Sequence, residues 1–262
     1  MNLDLKNKRA LVCGSTQGIG KAIALELALM GANVTLVARN EEALKKAKAE
    51  LNTEKGQQHS YIAVDFSQPE ELKKAVTHYI ERQGTVNILV NNTGGPPAGP
   101  IANAQTDEFL SAFNNHLICN HILAQACLDG MKKSAYGRII NIISTSVKIP
   151  LKGLGVSNTI RAAVANWAKT LSNEIAQFGI TVNNVLPGAT NTVRLSGIME
   201  NKSSRTGIAL EEVKSEMLHE IPAGRFAEAY EIANAVAFLA SPAASYITGI
   251  NVPVDGGRTG SL

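Results

Sequence analysis

The residues best suited to binding a ligand form a glycine-rich stretch near the N-terminus, Gly14-Ser15-Thr16-Gln17-Gly18-Ile19-Gly20. Gly14 permits a turn that a side chain would obstruct, Gly18 lets the backbone approach a phosphate, and Gly20 lets a helix pack closely on a strand. The N–H groups at the start of such a helix attract a phosphate or pyrophosphate. The spacing is G-x-x-x-G-x-G rather than G-x-G-x-x-G. The stretch therefore predicts phosphate binding, with an ordinary glycine-rich turn of an α/β protein as the alternative.

The elements around this stretch are a strand and a helix. An apolar segment, 9–12, is typical of a buried parallel strand, and the strong helix-forming segment 21–30 stops at Gly31. Strands and helices alternate along the rest of the chain, which predicts a single-domain α/β Rossmann fold, a doubly wound parallel sheet with helices on both faces. The predicted strands are 9–12, 33–38, 61–64, 86–90, 137–143, 180–186 and 250–254.

Helices are predicted at 21–30, 41–54, 69–83, 107–133, 154–178 and 228–239, with Thr106 or Asp107 capping the long fourth helix. The segment 191–222 breaks the alternation, because it is polar, has a helical composition and follows a strand end. Ligands of open α/β sheets bind beyond the carboxyl ends of the strands. We therefore expect 191–222 to be a substrate lid, with a plain surface excursion as the alternative.

Composition excludes several classes of protein. The chain has 262 residues, an apolar fraction of 45% and a net charge of +3 without a Lys/Arg cluster, so nucleic acid is not an expected partner. No apolar run reaches the length of a membrane span, and the charged N-terminus lacks a signal-peptide core. Cys13, Cys119 and Cys127 lack metal-ligand spacing, so we expect small buried thiols in a reducing cytoplasm, and no metal site.

The motifs together carry a resemblance. The turn Gly14 to Gly20, the sequence Asn91-Asn92-Thr93-Gly94, and the segments 137–144, 183–188 and 255–257 are similar to those of short-chain dehydrogenases/reductases, close to the 3-oxoacyl-acyl-carrier-protein reductases. The similarity covers essentially the whole chain. It implies NAD(P)-dependent carbonyl reduction or alcohol oxidation on a small carbonyl or acyl substrate, usually by a homotetramer.

The resemblance also implies cofactor-binding residues. Around the pyrophosphate and adenosine ribose we expect Ser15, Thr16, Gly18 and Ile19. Asp65 and Phe66 are expected to flank the adenine, and Asn91 to lie beside the adenosine ribose. Gly94 would let the backbone approach the cofactor, and Thr192, which follows Pro187 and Gly188, would contact the nicotinamide amide. The alternatives are a simple turn at Asn91-Asn92 and a helix N-cap at Thr192.

Arg39 predicts which cofactor is preferred. The strand 33–38 ends in Ala38-Arg39, where an NAD enzyme would place an acidic residue for the ribose 2′-hydroxyl. Ala38 removes that carboxylate, and Arg39 can pair with a 2′-phosphate. We therefore expect NADP(H) to be preferred over NAD(H), with a solvated surface arginine as the alternative.

The catalytic positions depart from the resemblance. The family uses an Asn, a Ser and a Tyr-x-x-x-Lys pair. Ser144 matches the Ser, but Ser157 and Arg161 replace the Tyr and Lys, and His116 occupies the Asn position. A serine hydroxyl is a poor acid, and Arg161 cannot relay a proton, although it can hold a ribose hydroxyl or an anionic substrate group.

Ser157 and Arg161 share one helix face, and His116 titrates near neutral pH. The first hypothesis is an NADP(H)-dependent reductase of a ketone or 3-oxoacyl group. In it Ser144 binds the carbonyl oxygen, His116 delivers the proton, directly or through water and Ser157, and Arg161 fixes the nicotinamide ribose. The alternative role of His116 is that of a partly buried helix residue with a satisfied hydrogen bond.

A second hypothesis is a dinucleotide-binding sensor or scaffold with little or no catalysis. A nucleotide-binding methyltransferase is disfavoured by the Asp255-Gly256-Gly257 ending and the Asn91 to Gly94 turn. The long helices carry more apolar residues than one sheet face needs, which predicts a homo-oligomer, and the resemblance implies a homotetramer. These residues are Ile118, Ile122, Leu123, Trp167, Leu171 and Ile175.

Overall fold

The computed structural model describes residues 1–261, and its centre is a sheet of seven parallel strands in the order β3-β2-β1-β4-β5-β6-β7. This arrangement confirms the predicted doubly wound α/β fold. The strand order reverses between β1 and β4, so the loops that follow these two strands diverge at the topological switch point. The strands are β1 (Arg9–Cys13), β2 (Asn33–Ala38), β3 (Ser60–Ala63), β4 (Ile88–Asn91), β5 (Gly137–Ile142), β6 (Ile180–Pro187) and β7 (Asn251–Val254).

The helices follow the predicted alternation. They are α1 (Gly18–Leu29), α2 (Glu41–Ala49), α3 (Pro69–Gln83), α4 (Thr106–Phe113), α5 (Cys119–Lys133), α6 (Gly155–Ile175), α7 (Val193–Thr206), α8 (Leu210–His219) and α9 (Ala229–Ala240). Short 3₁₀ turns occupy Ile101–Asn103, Thr145–Val147, Ala176–Phe178 and Pro242–Ala244. Within the described residues, no helix combines the length and the apolar character that a membrane span requires.

Two apolar cores cover the two faces of the sheet. Ala10 and Val12 of β1 pack with α1 and α9 in one core, whereas Leu11 and Cys13 pack with α3 and α5 in the other. Successive side chains of a strand point to opposite faces, so β1, which is buried on both sides, is apolar from Ala10 to Cys13. The three cysteines are buried free thiols, as expected.

Several element ends differ from the prediction. Helix α2 ends at Ala49 rather than near Glu54, because Asn52 Oδ1 accepts a hydrogen bond from the Glu54 N–H and forms a local turn. Gln105, not Thr106 or Asp107, is the N-cap of α4, and Glu108 three residues later accepts a hydrogen bond from the Gln105 N–H at 2.7 Å.

The helix expected to run unbroken over 107–133 contains a π-helical segment. It consists of Asn114–Ile118 and joins α4 to α5 without a loop. A π turn accommodates an extra residue in a helix and is frequent at functional sites. His116 lies at the centre of this segment.

A ladder of asparagine side chains crosses four strands in register. Asn91 Nδ2 donates to Asn141 Oδ1, Asn141 Nδ2 donates to Asn184 Oδ1, and Asn184 Nδ2 donates to Asn251 Oδ1, each at 2.8 Å. The same residues are direct partners in the β4–β5, β5–β6 and β6–β7 pairings. The ladder therefore fixes the register of these four strands, and in β4 and β5 it lies near the carboxyl ends that lead into the site.

Candidate active site

The glycine-rich turn after β1 is packed so closely that side chains are excluded from it. A Cβ atom at position 20 would lie 2.1 Å from the Gly14 carbonyl oxygen, and Gly14 has a φ of +58°. Asn92 Nδ2, from the loop after β4, donates to the carbonyl oxygens of Cys13 and Gly14 at 3.2 Å. The loops on the two sides of the switch point are thus tied together.

The start of α1 fits a phosphate group. Its N-cap, Gln17, makes no side-chain hydrogen bond, and the first turn contains no acidic residue, so its N–H groups remain available to an anion. Ser15 is fully buried, and its Oγ accepts a hydrogen bond from the Val37 N–H at 3.1 Å. Thr16 and Ile19 are half-buried. Contacts of these residues with a pyrophosphate stay a prediction.

The residues expected around the adenosine lie after β2 and β3. Arg39 is exposed directly after β2, and Asp65 is exposed two residues after β3. Hydrogen bonds from Ser67, and secondarily the positive charge of Arg39, lower the pKa of Asp65. Phe66 is half-buried, and its carbonyl oxygen accepts a hydrogen bond from Cys119.

Asn91 and Gly94 follow β4. The Asn91 side chain is 2% exposed and belongs to the asparagine ladder, but its Oδ1 atom has no hydrogen-bond partner among the described residues. A Cβ atom at Gly94 would meet nothing within 4 Å. The backbone here is open to a ligand, as a cofactor contact at Gly94 would require.

Beyond Gly94 lies a cavity of about 340 Å³. Its lining residues come from the loop after β4 and from the α4 helix and π segment, namely Gly94, Gly95, Pro96, Pro97, Asp107, Glu108, Ser111, Ala112, Asn115 and His116. It lies beyond the carboxyl end of β4, where open α/β sheets bind their ligands. The volume suits a small molecule.

His116 is 3% exposed, and its Nδ1 lies 2.6 Å from Thr93 Oγ1. Burial, and secondarily the charges of Arg161 and Arg194, lower the pKa of His116 from 6.5 to about 2. The expectation that His116 titrates near neutral pH is therefore wrong for this structure, and the imidazole is neutral at physiological pH. With Nδ1 engaged, Nε2 is the nitrogen left for a molecule in the cavity.

Arg161, at the lysine position, is 9% exposed, and its Nη1 donates to the Ile142 carbonyl oxygen at 2.8 Å. Burial, followed by the charge of Arg194, lowers the pKa of Arg161 to about 10, so the guanidinium remains protonated at neutral pH. Arg194 is a site residue that the sequence reasoning did not select. Its only sequence signal is its place two residues after Thr192.

The two serines lie after β5 and at the start of α6, and neither is among the residues that line the cavity. Ser144 lies two residues after β5 as the N-cap of the turn Thr145–Val147, and its Oγ accepts a hydrogen bond from the Ser146 N–H at 3.1 Å, with the residue half-buried. Ser157 is half-buried in the first turn of α6, one turn before Arg161. No tyrosine lines the cavity. Tyr136, for example, donates to the Ala240 carbonyl oxygen.

The segment 191–222 contains α7 and α8, which confirms its helical character. Thr192 caps α7 by accepting a hydrogen bond from the Leu195 N–H at 3.3 Å, and its Cγ2 would lie 3.3 Å from a Cβ atom on Gly18. Thr192 is therefore both a helix N-cap and a neighbour of the glycine-rich turn. Gly188, after Pro187, packs against Asp255, since a Cβ atom there would lie 2.7 Å from Asp255 Cα.

Comparisons with known proteins agree with this geometry. A family model described as enoyl-(acyl carrier protein) reductase matches residues 14–259. The 3-oxoacyl-[acyl-carrier-protein] reductase FabG of Vibrio cholerae serotype O1 is 34% identical over 255 residues, which cover 97% of this chain and 98% of the relative.

The chain belongs to the short-chain dehydrogenase/reductase family.

The names of two further similar proteins mention NADPH. NADPH-dependent reductase BacG of Bacillus subtilis is 29% identical over 98% of this chain and 100% of the relative. The crystal structure of L-sorbose reductase from Gluconobacter frateurii, complexed with NADPH and L-sorbose, superposes with a TM-score of 0.92 at 30% identity and covers 100% of both chains.

This chain is accordingly an oxidoreductase of that family with a nicotinamide dinucleotide cofactor. The residues present fit such a cofactor, because the uncapped start of α1 can receive a phosphate and the backbone at Gly94 is open. The hypothesis of a non-catalytic sensor or scaffold is not supported by these relatives. Ser157 and Arg161 nevertheless remain departures from the Tyr-x-x-x-Lys pair.

Proposed function

We propose that the protein is an NADP(H)-dependent reductase of a small ketone or 3-oxoacyl group. The observation that carries this proposal is the cavity beyond β4, which brings His116 to the same place as the open backbone of Gly94. Arg39, exposed after β2, supports NADP(H) because its guanidinium can pair with a 2′-phosphate. The helices α7 and α8 act as the lid over this site.

The cofactor supplies the hydride when it is bound. Ser144 Oγ, which accepts from the Ser146 N–H, keeps its own O–H to donate to the substrate carbonyl oxygen. Arg161 holds a permanent positive charge beside the site, where it can bind the nicotinamide ribose hydroxyls or an anionic group of the substrate. A positive charge in a water-poor site also stabilises the negative charge that develops on the carbonyl oxygen.

His116 acts in its neutral form in this proposal. Its Nε2 hydrogen-bonds the substrate or a water molecule while Thr93 holds Nδ1. The proton that completes the alcohol comes from water, because neither a serine hydroxyl nor an arginine is a tuned acid near neutral pH. General acid catalysis contributes on the order of 10²–10⁴-fold in other enzymes, so we expect slow turnover of ordinary 3-oxoacyl and diketone substrates.

The test measures NADPH oxidation across a panel of 3-oxoacyl thioesters and diketones. We expect slow wild-type turnover, a further loss of about tenfold or more in Ser144→Ala, and a gain in the double variant Ser157→Tyr with Arg161→Lys, which restores a phenol and its lysine. Fast wild-type turnover that is indifferent to Ser144 would overturn the proposed roles. NADPH binding by fluorescence is measured alongside, so that a variant that fails to bind cofactor is not mistaken for a catalytic defect.

A further inference from the structure

Two arginines from different helices converge on Gly95, a residue that lines the cavity. Arg161 belongs to α6 and Arg194 to α7, yet both reach Gly95. A Cβ atom on Gly95 would lie 3.0 Å from Arg194 Nη2 and 3.7 Å from Arg161 Nη2. Because position 95 has no side chain, both guanidinium groups approach the same point beside a residue that lines the cavity.

Neither guanidinium has an anionic partner in the part of the chain that the structure describes. Arg161 Nη1 donates to the Ile142 carbonyl oxygen, and Arg194 Nη2 donates to the Pro96 carbonyl oxygen at 2.8 Å. Arg161 is only 9% exposed, whereas Arg194 is exposed to solvent. A buried positive charge with no counter-charge is costly, and a second positive charge beside it adds repulsion. Arg161 therefore holds an uncompensated charge beside Gly95, at the wall of the cavity.

Two carboxylates also line the cavity, but they are engaged elsewhere. Glu108 accepts from the Gln105 N–H, and Asp107 accepts from the Glu108 N–H, both at the start of α4. Neither forms an ion pair with the two arginines in the described chain. No carboxylate of the described chain therefore neutralises the buried Arg161, and an anionic ligand beside Gly95 would supply that counter-charge.

We propose that Arg161 and Arg194 form a subsite for a carboxylate group carried by the substrate, so that the enzyme acts on small oxo acids. This inference rests on the proposed ketone reduction and names the class of ketone. A guanidinium offers a planar fork of donors that matches a carboxylate, and two of them can bind its two oxygens from different directions. Arg194 belongs to the lid helix α7, so a substrate carboxylate would also hold the lid against the loop after β4.

The cofactor diphosphate presents the same chemistry and is the competing source of negative charge. The start of α1, after β1, already offers uncapped N–H groups for a phosphate. The two arginines lie instead beside Gly95, after β4, and close enough to His116 to lower its pKa. Their place beside Gly95, which lines the cavity, favours the substrate as the source.

The experiment uses 2-oxobutanoate, acetoacetate and levulinate with their methyl esters, in the full-length protein with NADPH. We expect at least one acid to exceed its ester by about tenfold or more in kcat/KM, and Arg194→Gln to remove that preference while the Kd for NADPH stays within about twofold. The matched control is Arg205→Gln, which removes the same charge from the exposed end of the same helix and should preserve the preference.

A binding measurement separates this proposal from the proposed reduction. Each acid should raise the melting temperature of the wild-type protein with NADPH more than its ester does, and Arg194→Gln should abolish the difference. If the acids bind in this way but no ketone is reduced, the subsite stands and the proposed reduction falls. Equal effects of acids and esters in both assays overturn the subsite, as does an Arg194→Gln variant that weakens only NADPH binding, which would assign the arginines to the cofactor diphosphate.

Discussion

At the residue scale, Arg39 is exposed directly after β2, at the edge of the sheet where the glycine-rich turn also lies. An exposed arginine paired with a phosphate makes charge-assisted hydrogen bonds that solvent partly screens. We expect Arg39→Ala to raise the Kd for NADPH by about tenfold and to change the Kd for NADH little. Fluorescence titration of wild-type protein and Arg39→Ala with each cofactor measures the two dissociation constants. Arg82→Ala, an exposed arginine at the end of α3, is the control, and wild-type protein that binds NADH more tightly than NADPH would contradict the preference.

His116 leads to a prediction about stability and pH. Its pKa is lowered from 6.5 to about 2 in the folded protein, so below pH 6.5 the unfolded chain binds a proton that the folded protein does not. The contribution of His116 to the free energy of unfolding is therefore fully present above pH 6.5 and is lost as the pH falls towards 2. The loss amounts to about 1.4 kcal/mol for each pH unit well below 6.5.

We expect wild-type protein to lose about 2 kcal/mol more than His116→Asn between pH 7 and pH 5. Urea unfolding at the two pH values measures the difference. His78→Asn, at an exposed position of α3, should behave as wild type does. Equal pH dependence in wild type and His116→Asn would show that the buried imidazole is not held neutral, and would return His116 to consideration as a proton donor.

At the element scale, the asparagine ladder joins β4, β5, β6 and β7. Asn141 is fully buried and bonds to both neighbours, so Asn141→Ala leaves Asn91 Nδ2 and Asn184 Oδ1 without partners. Each buried polar group left unsatisfied costs about 1–3 kcal/mol, so we expect a loss of about 3 kcal/mol. At the half-exposed end of the ladder, Asn251→Ala removes only one bond and should cost about 1 kcal/mol. Denaturant unfolding compares the two variants, and equal losses would mean that the ladder does not act as a unit.

The elements also show what the sequence could predict. The fold class and the glycine-rich turn depend on local patterns, namely apolar strands, helix-forming segments and the spacing of Gly14, Gly18 and Gly20, and the fold class is confirmed. The π segment escaped prediction because a turn with i→i+5 bonding differs by a single residue from the α-helical pattern. The extra residue of the π turn shifts the helix register by one position, and this shift decides whether Asn115 or His116 points towards a particular neighbouring side chain.

Other site features depend on contacts between distant segments, which spacing along the chain does not reveal. The protonation state of His116 is set first by burial and then by Arg161 and Arg194, which lie 45 and 78 positions away in sequence. Arg194 itself comes from a segment interpreted only as a lid. The Ser15 hydroxyl links the turn after β1 to β2 by accepting a hydrogen bond from the Val37 N–H, a contact that the spacing of the glycines does not reveal.

At the scale of the whole molecule, the predicted tetramer would bury surface that one protomer leaves open. Of the six apolar residues that suggested it, Leu123 and Ile175 are buried within the protomer, whereas the other four are half-buried. Leu110 and Phe113 on α4 are 62% and 38% exposed. Apolar side chains grouped on neighbouring helices favour an interface between copies of the chain.

We therefore predict that light scattering at micromolar concentration gives about four times the mass of the 27.8 kDa chain. Leu110→Glu should shift the population to smaller species, because a carboxylate at the interface would have to be buried without a partner. Trp167, the single tryptophan, lies half-buried on α6, so its emission should move to longer wavelength as the assembly dissociates. Leu29→Glu, at a 52% exposed position on α1, is the control and should leave the mass unchanged. A wild-type monomer at micromolar concentration would contradict the prediction and would mean that these helix faces are simply exposed to solvent.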